Sequence, residues 1–60
     1  MNINILEMIE HKMPTFSKSQ KKIGEFILTH YDKAVFMTAA KLGKQVDVSE
    51  STVVRFANVL

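Results

Sequence analysis

The sequence predicts an all-α fold, a compact bundle of four to five short helices forming one domain over residues 1–60. Three observations predict it. Apolar residues recur at the i, i+3, i+4 spacing of a helical stripe rather than in the alternation of a half-buried strand. Ser17, Thr38 and Ser49 each stand just ahead of such a stripe, where a hydroxyl caps a helix N-terminus. The composition is globular, with 47% hydrophobic and 23% charged residues, and its 2 Gly and 1 Pro leave little to interrupt a helix. A chain of 60 residues cannot build two cores, and a domain of this size buries only about 60% of what its unfolded form exposes. A second subunit or neighbouring domain is therefore expected to support it.

The first helix is expected from Ile3 to about Met13, with Ile5, Leu6, Ile9 and Met13 along one stripe and Met8 beside it. Pro14 is expected to force Met13 out of the α region, leaving residues 14–16 as a connection. Ser17-Lys18-Ser19-Gln20 has the form of a capping box, whereas Phe16 before it and Lys21 after it leave the hydrophobic staple incomplete. The second helix then runs to about His30, burying Ile23, Phe26 and Ile27 and leaving Lys18, Lys21, Lys22 and Glu25 to solvent. Gly24 within it is costly for a helix, which points to a close helix contact. Residues 30–36 read as a loop or short turn, with Ala34, Val35 and Phe36 able to tuck inward and Tyr31 packed at the loop.

Thr38 caps a helix of about two turns, Ala39 to about Gln45, whose inward residues are Ala39, Leu42, Gly43 and Val46. After Asp47 and Val48, Ser49 caps a last helix with Val53, Phe56, Ala57 and Leu60 on one face. Two short helices joined by a tight turn, the second polar at its start, form the outline of a helix-turn-helix. Leu60 carries no C-cap, so the last helix reads as continuing into further chain.

In such a motif the first helix crosses the DNA backbone and the second enters the major groove with its N-terminal residues toward base edges. The free N–H groups and positive dipole end at Ser49, Ser51 and Thr52 suit phosphate. Glu50, in the first turn, supports the helix start. Arg55 lies one turn further on, able to grip a phosphate or to donate twice to guanine O6 and N7. Lys41 and Lys44 on the bracing helix, with the capping hydroxyl of Thr38, are the candidates for backbone contact.

The run Met37-Thr38-Ala39-Ala40-Lys41-Leu42-Gly43 followed by Val48-Ser49-Glu50-Ser51-Thr52-Val53-Val54-Arg55-Phe56 resembles the helix-turn-helix of the RpiR-type bacterial transcriptional regulators. That family commonly shows a V-S-x-x-T-V-x-R-F core. Pro14, Ser17, the Lys21-Lys22-Ile23 helix, Phe26-Ile27 and Val35-Phe36 fit the preceding helices, so the resemblance covers nearly the whole chain. It implies a sequence-specific DNA-binding head of a regulator of sugar or phosphosugar genes. It also implies a linker to a C-terminal sugar-phosphate-sensing domain, absent here, whose phosphosugar effector alters operator affinity. The DNA-contacting role of Ser49, Ser51, Thr52 and Arg55 is carried over from the same resemblance. Two positions depart from the family pattern. Asp47 stands where Gly is usual in the turn, and Asp tolerates the left-handed conformation better than most residues. Gly43 stands where Ala is usual, which still allows a close helix crossing.

The formal charge of +2 is compatible with nucleic acid without requiring it. With no cysteine and only two histidines, His11 and His30, neither a metal nor any other cofactor is expected. The four Met and four Phe read as adaptable core. No Gly-rich phosphate loop or nucleophile with a readable base is present, so no catalysis is expected. The absence of a membrane-length apolar run, signal peptide or disulfide framework points to a cytoplasmic protein without a membrane partner. Few cations per head imply a homodimer on a two-fold operator of double-stranded DNA, with the apolar first helix as pairing surface. The alternative is a helical protein–protein interaction module whose last helix docks a partner protein.

Overall fold

A computed structural model describes residues 4–60, so Ile3 of the expected first helix lies outside the described residues. The chain forms α1 (Ile5–Lys12), α2 (Lys18–Thr29), α3 (Tyr31–Ala34), α4 (Ala39–Val46) and α5 (Glu50–Val59), with a 3-10 turn at Met13–Thr15. Among the described residues no helix is long and apolar enough to cross a membrane.

Asn4 starts α1 by accepting the Leu6 N–H at 2.8 Å through Oδ1. Pro14 acts differently from the expectation. Met13 stays in the right-handed helical region (φ −47°, ψ −44°), and the chain becomes extended only at Phe16 (φ −74°, ψ 146°). The helix tightens into a 3-10 turn instead of breaking, because a proline in a first turn gives up an N–H that would lack a partner anyway. The capping box forms as expected: the Ser17 N–H donates to Gln20 Oε1 at 2.7 Å, and the Gln20 N–H to Ser17 Oγ at 3.3 Å. With no apolar partner at Lys21, Phe16 turns toward α5 and meets the Phe56 ring edge-on, centroids 5.1 Å apart.

The core is one cluster, Ile9, Phe16, Ile23, Leu42, Val53 and Phe56, with a half-buried ring that includes Met13, Phe26, Ile27, Met37, Val46 and Leu60. One buried residue each from α1, α2 and α4, with two from α5, therefore meets Phe16 from the connection. Of the four residues assigned to the inner face of α5, Ala57 is exposed. At 100° per residue it falls on the flank of the arc defined by Val53, Phe56 and Leu60.

Residues 31–34 close into the single turn of α3, the short turn of the two readings, but the inward expectation for Val35 and Phe36 is reversed. Val35 is half exposed and Phe36 is 88% exposed. The Val35 and Phe36 N–H groups donate to the carbonyls of Tyr31 and Lys33, at 3.1 and 3.2 Å. That tight turn carries Phe36 outward, and Met37 reaches the core in its place.

Both glycines sit where a Cβ would collide. At Gly24 it would lie 2.9 Å from Met13 Sδ and 3.1 Å from Ile9 Cγ2, the close contact of α1 and α2 expected from the sequence. At Gly43 it would lie 2.7 Å from the Val48 carbonyl oxygen, a backbone atom of the α4–α5 turn. The closest neighbour of Gly24 is the end of a flexible thioether, so Gly24→Ala is expected to be nearly neutral: the helical gain of about 1 kcal/mol offsets the repacking. Gly43→Ala has no such freedom and is expected to cost about 2 kcal/mol, within the overpacking range. Urea unfolding of the two variants side by side checks this; equal losses would mean that the turn after α4 yields as easily as a side chain.

Candidate nucleic-acid interface

The α4–turn–α5 unit is the most extensively packed helix pair in the fold. Three local devices fix it. Thr38 Oγ1 accepts the Lys41 N–H at 3.1 Å and opens α4. Asp47 closes α4 in the left-handed region (φ 61°, ψ 49°), the only non-glycine residue with positive φ among the described residues. The Asp47 and Val48 N–H groups both donate to the Gly43 carbonyl, the latter at 2.8 Å, so the helix end is satisfied across the turn. The turn thus forms with Asp47 in the place of the glycine usual to the resembled family. Close packing at Gly43 is against the turn backbone itself, and alanine would be tighter there than the sequence suggests.

Ser49 then opens α5. Its Oγ accepts the Thr52 N–H at 3.2 Å and also meets Ser51 Oγ at 3.1 Å and Thr52 Oγ1 at 2.7 Å. The sequence-predicted hydroxyls are therefore brought together as one cluster at the mouth of the helix. Ser49 and Ser51 are exposed, while Thr52 is half-buried and turned toward the cap. Ser49 Oγ is saturated by these three bonds, whereas one of the Ser51 and Thr52 hydroxyls keeps a free O–H, so capping and contact with a phosphate oxygen are compatible. An anion there would also meet the first, unpaired N–H groups of α5 and its positive dipole end. At the other end, Lys12 Nζ reaches from α1 to donate to the Val59 carbonyl at 3.0 Å, which places a cation on the negative end of α5. Lys12 is in this way committed to the fold.

Lys41, Lys44 and Arg55 are all exposed, opposite the buried residues of their helices. Leu42 and Gly43 are buried and Ala39 and Val46 half-buried, so the inner face of α4 matches the four residues expected of it. The cations number three against Asp47 and Glu50 in residues 38–60, so charge alone does not mark this surface. Lys18, Lys21 and Lys22 on the exposed side of α2 are denser. Position distinguishes α4 and α5: their exposed cations stand on the two helices joined by the turn from which α5 opens with a capped N-terminus.

Two residues on the outer face of α5 were absent from the sequence-based set. Val54 and Asn58 are exposed and continue Ser51 and Arg55 in an i, i+3, i+4, i+7 series. The same period that located the core of α5 would have found them, had it been applied to the outward side as well. Among the described residues there is no enclosed pocket and no cluster of three or more metal-ligating side chains.

The helix-turn-helix domain of the rpiR family matches residues 3–60. The HTH-type transcriptional regulator HexR of Escherichia coli (strain K12) is 39% identical over 54 residues, covering 90% of this chain and 19% of the relative. The chain thus spans about a fifth of the length of that curated relative. No solved structure matches it significantly. A match over nearly all of the chain, together with a helix pair closed and capped as described, places it: the chain belongs to the rpiR family of helix-turn-helix domains.

Proposed function

We propose that this chain is the operator-binding head of a bacterial transcriptional regulator. It binds double-stranded DNA rather than catalysing a reaction, with α5 in the major groove and α4 across the backbone. The observation that carries the reading is the hydroxyl cluster of Ser49, Ser51 and Thr52 at the mouth of a helix whose opposite side is locked into the core by Val53 and Phe56. In this reading Ser49, Ser51 and Thr52 hold phosphate, with Thr38, Lys41 and Lys44 along the adjacent backbone, and Arg55 addresses a base edge.

The regulated genes belong to sugar or phosphosugar metabolism, and the head is joined to a C-terminal domain that senses a sugar phosphate. Family membership and the much greater length of the E. coli relative support this arrangement. The working unit is a homodimer in the cytoplasm: Lys41 and Lys44 of one head neutralise too few phosphates for tight binding, and pairing doubles them. In α1, Ile9 is buried and Leu6 and Met8 are half-buried, so Ile5 is the most exposed apolar residue that α1 offers to a second subunit among the described residues.

Salt tests the reading. Four cationic phosphate contacts from two heads, Lys41 and Lys44 in each, predict that the logarithm of the binding constant for duplex DNA falls against log[salt] with a slope of about −4. Affinity is then expected to drop about 150-fold between roughly 50 and 200 mM salt, measured by fluorescence anisotropy with a labelled duplex. A module that docks a protein through α5 would show no duplex binding with this dependence.

A further inference from the structure

Val54 lies outside the core cluster and the ring packed against it. The inner face of α5 is filled by Val53, Phe56 and Leu60, and Val54 points away from them, 49% exposed. An exposed helical position is better served by Lys, Glu or Gln, and a β-branched side chain there lowers helix propensity. It sits on one flank of the outer face, three residues after Ser51, next to Arg55 and four before Asn58, all of them exposed. The same i, i+3, i+4, i+7 spacing is used by the recognition helix of homeodomains to address the major groove. From Ser51 to Asn58 the helix axis advances about 10 Å, roughly three base-pair steps.

Resting on the DNA-binding reading above, we infer that Val54 and Asn58 are specificity-determining residues that direct α5 to A·T pairs. Val54 packs on the 5-methyl group of a thymine, and Asn58 forms paired hydrogen bonds with N6 and N7 of an adenine. The occupant follows from chemistry. Lys41, Lys44, Arg55 and the positive end of α5 complement a polyanion. Within the major groove the only apolar feature is the thymine methyl, so it is the only base feature that a side chain without polar atoms can favour. Val54 is held in one dominant χ1 rotamer by its helix and loses little freedom in making that contact. The Asn58 amide offers one acceptor and one donor side by side, which complements the N6–H donor and N7 acceptor of adenine and no other base edge in the groove.

The test uses the full-length protein and a library of random-sequence duplexes, from which bound sites are selected with the parent, Val54→Ala, Val54→Thr and Asn58→Ala proteins. The parent is expected to select a site with fixed A·T positions. Val54→Ala is expected to lose the thymine preference at one of them and to bind the parent site about fivefold more weakly per head, the worth of about one methyl group. Deoxyuridine in place of that thymine is expected to weaken the parent by a similar factor and to leave Val54→Ala unchanged. Asn58→Ala is expected to relax a different position, from adenine to any base. Val54→Thr keeps the shape, and circular dichroism of all variants checks that they remain folded. If Val54→Ala and Asn58→Ala select the parent site with the parent's tolerance of deoxyuridine, the inference is wrong while the DNA-binding reading stands. A loss of self-association with unchanged base preference would place Val54 between subunits and also overturn it. If the parent selects no site and shows no salt-dependent duplex binding, the DNA-binding reading fails and the inference with it.

Discussion

Arg55→Ala is expected to lower affinity for the cognate operator by about 30-fold to about 10⁴-fold while leaving folding intact. A bidentate arginine–guanine contact contributes about 1–3 kcal/mol of discrimination, and a dimer loses it twice. The fold should not register the change: Arg55 is exposed, its side chain makes no hydrogen bond among the described residues, and alanine is the better helix former. Binding to non-cognate duplexes, which rests on phosphate contacts, is expected to weaken far less. Arg55→Lys separates the two roles open to this side chain. A lysine keeps the charge but lacks the planar fork, so a base-reading Arg55 predicts that the lysine variant loses most of the specific affinity. Near-full retention by Arg55→Lys, with both variants shifting all sequences equally, would assign Arg55 to a phosphate instead. Titration of cognate and scrambled duplexes at fixed salt reads out every one of these outcomes.

The helix-turn-helix was legible in the sequence because its parts are local. Thr38 and Ser49 cap within three residues of themselves, the apolar spacing of α4 and α5 is short-range, and Asp47 is among the few residue types that enter the left-handed region at modest cost. The features that escaped were decided by tertiary geometry. The 3-10 turn at Pro14 reflects how α1 must deliver Phe16 to Phe56, a contact of residues 40 apart in the chain. The outward course of Phe36 depends on the core having been closed by Phe16, Phe56 and Met37, and apolarity alone argued for the opposite. The hydrogen bond from Lys12 to the last turn of α5 is likewise invisible to local pattern. At the site, residue type was the limiting signal: hydroxyls and guanidinium suggest DNA contact at once, whereas Val54, off the inner face, has no polar group to suggest it.

Phe56→Ala is expected to have the opposite profile, with folding lost first and binding recoverable. Phe56 is almost fully buried and makes the edge-to-face contact with Phe16 that ties α5 to the connection after α1. Truncating a buried phenylalanine costs about 3–5 kcal/mol, the lost transfer energy plus the cavity left behind. A single core in a domain of this length rarely supplies more than about 3–5 kcal/mol, so the variant should be largely unfolded or close to its midpoint at 25 °C. Urea titration followed by far-ultraviolet circular dichroism would show a midpoint shifted toward zero denaturant. The contact face is untouched by this change, because Ser49, Ser51 and Arg55 lie on the other side of the helix. Cognate duplex at about 100 times the dissociation constant contributes about 2.7 kcal/mol to the folded state and should restore much of the helical signal. Arg55→Ala, folded but weakly bound, and Phe56→Ala, unfolded but rescued by DNA, thus separate the two faces of one ten-residue helix. If DNA fails to rescue Phe56→Ala, the residual unfolded chain does not reassemble its reading face on contact, and the docking of α5 on Phe16 must precede binding.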